Sequence, residues 1–133
     1  MRFTPPVQTL YALRKAIDEF FEEGAENRYA RYTKNWKALR NGVQNLGFRL
    51  LTKPEDESHI LMTLLNPDDP KFDFDKLHDK LLDKGFTIYP GKIGKKDTFR
   101  LSNMGDITTD DINEFLRALK ETIKELDLNI KYG

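Results

Sequence analysis

The stretch TFRLSNMGD, Thr98 to Asp106, starts as an apolar strand and turns polar after Leu101, with an arginine set between Phe99 and Leu101. An arginine in that setting either points to solvent on the polar face of a half-covered sheet or reaches into a site that needs a planar, permanently cationic fork. A second stretch, GFTIYPGK (Gly85 to Lys92), ends a strand with Pro90 and Gly91, so the backbone after Tyr89 is both stiff and open to close approach. Antiparallel pairing across the turn GKIGKKD sets the Tyr89 end of one strand beside the Arg100 end of the other. Tyr89, Gly91, Lys92, Arg100 and Asn103 thereby become candidate walls of one site. The residue types alone leave Arg100 open between a surface position and an anion clamp.

Other chemistries find less support. NPDDPKFDFD gathers Asp68, Asp69, Asp73 and Asp75, yet it lacks the glycine and the closing glutamate of a calcium loop, so it reads as a solvated loop with a helix cap and no metal. His59 heads an apolar strand and His78 lies on a helix with no second ligand at i+4, so both read as surface or half-buried side chains. ENRYARYTKNWKALRNG interleaves Arg28, Arg31, Lys34, Lys37 and Arg40 with aromatics, but the aromatics fall at core spacing, which makes it an amphipathic helix with a basic outer face rather than an RNA patch. There is no Ser/His/Asp set, no phosphate-binding glycine loop leading into a helix and no H-E-x-x-H. No complete enzyme is visible in these residues.

Bulk properties narrow the partners. With 133 residues and 38% hydrophobic content the chain is expected to fold as a single domain over 1–133. Its 22 Lys and Arg balance 22 Asp and Glu, so no global field draws it to nucleic acid or to a membrane surface. The absence of cysteine removes disulfides and thiolate sites and points to a reducing, cytoplasmic setting. No apolar run approaches the roughly 20 residues of a membrane-spanning helix, and MRFTPPVQTL lacks the apolar core of a signal peptide.

The elements that must hold the candidate site follow from periodicity. FTPPVQTLYALRKAIDEFFEEG predicts a helix capped by Thr4, with Pro5 and Pro6 in its first turn and Gly24 at its end. Tyr29, Tyr32, Trp36, Leu39, Val43 and Leu46 alternate at steps of three and four, predicting a long helix closed by Gly47. FRLLT and HILMTLL read as antiparallel strands, and FDKLHDKLLDKG as a helix capped by Asp73 with Phe74, Leu77, Leu81 and Leu82 inward. FTIYP and TFRLSN add two strands, and TTDDINEFLRALKETIKELD closes with a helix whose apolar face is Ile112, Phe115, Leu116, Leu119 and Ile123. The order ααββαββα predicts an α+β domain, an antiparallel sheet of about three to four strands covered by helices.

In order along nearly the whole chain, RFTPP, the long second helix, DKGFTIYPGK and DTFRLSNMGDI resemble the C-terminal part of 2-aminoethylphosphonate:pyruvate transaminases, a branch of the class V, fold-type-I pyridoxal-phosphate aminotransferases. YPGK and FR mark that branch, whereas TPP is shared with serine:pyruvate and alanine:glyoxylate relatives. The resemblance implies the small C-terminal domain of such an enzyme, with the cofactor lysine and the aspartate at the pyridine nitrogen in a large domain outside these residues. It implies that Arg100 binds the phosphonate or carboxylate of an aminophosphonate or amino acid substrate, and that Thr4 reaches the cofactor phosphate of the neighbouring subunit in a homodimer. It further implies pyridoxal phosphate in the parent enzyme, none bound to this chain alone, and no transaminase activity from the chain by itself. Relatives commonly carry a glycine where this chain has Ser102, a departure that bears on substrate preference. The start MRFTPP suggests a chain cut at a domain boundary with Met1 added, the alternative being a separately encoded domain. Two other readings stand beside this one: the small domain of a serine or alanine–glyoxylate type aminotransferase, and a free-standing, non-catalytic binding module.

Overall fold

The computed structural model describes residues 4–94 and 96–130, with the side chain of Ile93 left aside. By contacts the chain divides into two compact units, Met1–Arg31 and Tyr32–Gly133. The first holds helix α1 (Val7–Glu23) and the opening turns of α2 (Ala25–Asn45). The Pro-Pro pair displaces the expected start of α1. Thr4 and Pro5 each precede a proline and are pushed out of the helical region, so the cap position falls on Pro6, no side chain caps the helix, and Thr4 is exposed. Gly24 ends α1 as expected, with φ 81°. At that corner Glu23 accepts from Arg31 Nε at 2.7 Å and Arg28 Nε at 2.5 Å, while the Arg28 guanidinium lies 5.1 Å from the Phe20 ring. Arg31 and Arg28, in that order of influence, hold the Glu23 carboxyl down from its ordinary 4.5 to about 2.

The second unit is an α+β sandwich of two layers. Among the described residues its sheet has three antiparallel strands, β1 (Leu61–Leu65), β2 (Tyr89–Ile93) and β3 (Lys96–Ser102), in the order β1-β3-β2. One face, Met62, Leu64, Phe99 and Leu101, is buried against Leu39 and Val43 of α2, Leu77 and Leu81 of α3 (Phe74–Asp83), and Ile112, Phe115 and Leu119 of α4 (Thr109–Glu125). Phe99 sits at the centre, fully buried, with the rings of Phe48, Phe72 and Phe74 5.6, 6.4 and 6.2 Å away.

Asp73 caps α3 through its carboxylate, which accepts from the backbone N–H of Asp75 and Lys76. Thr108 and Asp111 form a reciprocal capping box at the start of α4. Two further expectations are corrected. FRLLT does not form a strand: it touches β1 through a single bridge, Leu50 to Leu64, with flanking bonds from Leu51 N to Thr63 O and Leu65 N to Arg49 O, before a 3-10 turn at Pro54–Asp56 diverts the chain. Leu82 is 54% exposed, because only the Leu77–Leu81 face of α3 meets the sheet. The basic face of α2 is largely spoken for, since Arg28 and Arg31 pair with Glu23 and Arg40 with Glu57.

Candidate anion site on the open sheet face

Strand alternation puts Thr98, Arg100 and Ser102 of β3 on the face opposite Phe99 and Leu101. The register places Arg100 directly across from Tyr89 of β2 and Thr63 of β1, as expected for the Tyr89 pair, although the strand expected at FTIYP runs instead over Tyr89–Ile93, through residues read as the turn. Arg100 and Tyr89 are both exposed, Tyr89 at 61%. Behind them the strand is anchored by two buried side chains, Phe99 and Leu101, so the arginine stands on a rigid base. Its Nη2 donates to the carbonyl of Pro90 at 3.2 Å. Among the described residues no carboxylate lies within ion-pair distance of Arg100, although most of the other arginines on the surface have found one. An exposed guanidinium held by one neutral acceptor, with donors to spare, is equipped to take a bidentate anion.

The surroundings suit that use. A groove along β2 and β3 is lined by Asn66, Phe74, Pro90, Gly91, Lys92, Asp97, Thr98 and Arg100. On the other side of Arg100 an apolar depression runs over Phe86, Tyr89, Leu101, Ile107 and Phe115. Lys92 is exposed, but strand alternation turns it, with its register partner Asp97, to the face of the sheet opposite Arg100. The structure thus brings Tyr89, Gly91 and Arg100 together and leaves Lys92 and Asn103 apart. Asn103 is fully buried, its amide donates to Tyr32 O at 3.1 Å and its backbone N–H to Ile60 O at 3.2 Å, so it ties the end of β3 to α2. The Ser102 hydroxyl is also committed, donating to Ile60 O at 3.0 Å and accepting from Met104 N at 3.2 Å. Thr4 lies in the other unit and makes no capping bond. Sequence reasoning passed over Thr98, which parity places on the Arg100 face two residues away; it is 2% exposed and its hydroxyl has no hydrogen-bond partner.

A lysine that carries pyridoxal phosphate must shed its proton, which needs burial or a neighbouring cation. Among the described residues no lysine is buried, and Lys84 is driven the other way, its pKa raised first by Glu125 and then by Glu121.

No family model matches the chain. The 2-aminoethylphosphonate–pyruvate transaminase of Phocaeicola vulgatus is 42% identical over 124 residues, covering 92% of this chain and 34% of that protein. A second transaminase of the same name, from Cupriavidus pinatubonensis, is 34% identical over 131 residues, covering 98% of this chain and 35% of that one. The chain is homologous to the C-terminal part of the 2-aminoethylphosphonate–pyruvate transaminases. It spans about a third of the length of these curated transaminases. Among solved structures, the pyridoxamine-pyruvate aminotransferase of Mesorhizobium loti superposes with a TM-score of 0.85 at 23% identity, over 97% of this chain and 33% of that one, a likeness of fold. The α+β architecture is that of the small domain of fold-type-I aminotransferases.

Proposed function

We propose that this chain is the substrate-anion-binding small domain of a pyridoxal-phosphate-dependent transaminase acting on 2-aminoethylphosphonate and pyruvate. The observation that carries the reading is Arg100: exposed, free of any carboxylate among the described residues, and fixed opposite Tyr89 on a strand whose back is buried. Its fork matches two oxygens of a phosphonate or of a carboxylate, and a charge held on a sheet is preorganised where one on a loop would have to be ordered at binding. Pyridoxal phosphate and its lysine belong to the remainder of the transaminase. The Thr4 hydroxyl, exposed and not engaged in capping, is available for the cofactor phosphate of a neighbouring subunit in a homodimer. By itself the 133-residue chain has no transaminase activity, and the parent enzyme works in the cytoplasm.

The test is the specificity constant of the full-length enzyme with Arg100→Lys and Arg100→Ala, with cofactor absorbance as the control for occupancy. Arg100→Lys keeps the charge but loses the fork and should lower kcat/KM. Arg100→Ala also removes the charge; losing a desolvated charge-assisted pair costs on the order of 2–5 kcal/mol, roughly 30-fold to several thousand-fold in kcat/KM. Unchanged kinetics in Arg100→Ala would return the residue to the polar face of a sheet and end this reading.

A further inference from the structure

Gly91 is not among the described glycines with positive φ, so its backbone is one that any residue adopts. Glycine at this position is therefore a matter of space. A Cβ there would clash with Thr98 Oγ1 at 2.7 Å and would stand 3.6 Å from Arg100 Cγ, an ordinary contact that only a larger side chain would exceed. Thr98 is buried and has little room to withdraw.

Asp97 O accepts from Asn66 N and Asn103 N donates to Ile60 O, so the odd-numbered residues of β3 turn their backbone groups toward β1 and Thr98 and Arg100 turn theirs toward β2. The pairs Thr98–Gly91 and Arg100–Tyr89 are then the ones that exchange backbone bonds. Pro90, between them, has no N–H to give, and its carbonyl points away from β3 to the outer edge, the orientation in which an edge strand tolerates proline. Yet Arg100, rooted on β3, bonds that carbonyl. Its side chain crosses over β2 to do so, and it leans across the one position of the strand that carries no side chain.

We infer that Gly91 and the Pro90 carbonyl are positioning elements for Arg100: Gly91 leaves the passage through which the arginine crosses the edge strand, and the carbonyl is the peg that fixes its guanidinium. This rests on the reading of Arg100 as the anion-binding residue. The donor count is compatible with it. Arginine has five N–H groups, two of them on Nη2. Pro90 takes one, and the other still forms a parallel fork with the adjacent N–H on Nε or on Nη1, so one complete bidentate edge is left for the substrate anion.

The experiment compares Gly91→Ala, Gly91→Val, Arg100→Ala and the Gly91→Val/Arg100→Ala double variant in the full-length transaminase. KM for 2-aminoethylphosphonate and kcat are read separately, with cofactor absorbance and melting temperature alongside. Gly91→Val should raise KM by at least about tenfold, Gly91→Ala by less, and the valine should add nothing once Arg100 is alanine, because its effect passes through that side chain. Equal losses with and without Arg100, or no rise in KM, would overturn the inference while leaving Arg100 in place. An Arg100→Ala enzyme with full activity would instead remove the function on which it rests. Should the valine variant fail to fold, Gly91→Ala with and without Arg100→Ala decides the same comparison.

Discussion

Replacing Gly42 by alanine sets two effects against each other at the end of α2. The position is helical, so alanine gains up to ~1 kcal/mol over glycine in propensity. Against this, a Cβ at residue 42 would stand 2.2, 2.6 and 2.9 Å from Cδ1, Cδ2 and Cγ of Leu116 on α4. Carbon atoms rest at about 3.5–4.0 Å, so Leu116 must give way by more than an ångström. The crowding of Cγ as well as the methyls means that a turn about χ2 does not suffice and Leu116 must change χ1 or shift bodily. Overpacking of this kind costs ~1–3 kcal/mol, which leaves a net destabilisation of about 1 kcal/mol. The sign should reverse once the obstacle is gone: in a Leu116→Ala background, Gly42→Ala should stabilise by up to ~1 kcal/mol. Urea unfolding of the four chains of this cycle, followed by circular dichroism, measures both values. Stabilisation by Gly42→Ala in both backgrounds, or an equal loss in both, would refute the close packing of α2 on α4 at this point.

Three further outcomes are expected. Glu23 has a folded pKa below its unfolded one, so its contribution is present above pH 4.5 and is lost as the pH falls through about 2; an NMR titration of its carboxyl should show a midpoint near 2, and a midpoint above 4 would deny the Arg31 and Arg28 pairs. Phe99→Ala empties the centre of the aromatic cluster and should cost ~3–5 kcal/mol in chemical denaturation, whereas a loss below ~1 kcal/mol would contradict its burial. Helix α1 carries Leu10, Leu13, Ile17 and Phe21 with no buried residue, so the chain should self-associate as its concentration rises, and a strictly monomeric species by light scattering at high concentration would count against that.

What could be read from the chain follows the range of the physics involved. The Asp73 cap and the Gly24 stop are local, settled within one turn of backbone, and both stand where the residues put them. The pairing of Tyr89 with Arg100 was legible because a short turn fixes the register of the two strands it joins. Thr4 failed as a cap because two consecutive prolines outweigh a favourable side chain. Asn35 and Asn103 were not legible at all: each is a polar residue buried by a partner about seventy positions away, Asn35 donating to Ile107 O and accepting from Thr109, Asn103 donating to Tyr32 O. Helical periodicity names the face on which Tyr29, Trp36, Leu39 and Val43 lie, but not where cover begins; Tyr29 is 62% exposed while Leu39 and Val43 are buried. In the site, Arg100 stood out by its type in an apolar run, whereas the Pro90 carbonyl is a backbone atom that no residue pattern advertises.

The crossing of Arg100 over β2 also bears on how this small sheet avoids growing. A strand at the rim of a sheet offers alternating donors and acceptors to any stray chain that drifts alongside. At the middle of the β2 rim the donor is missing, because the residue is proline, and the matching acceptor is already taken by the guanidinium. An incoming strand would find neither half of a ladder rung there, and it would meet a positive charge. The arrangement that aims the arginine therefore also makes the rim a poor template for aggregation, and a change that frees the Pro90 carbonyl would weaken both.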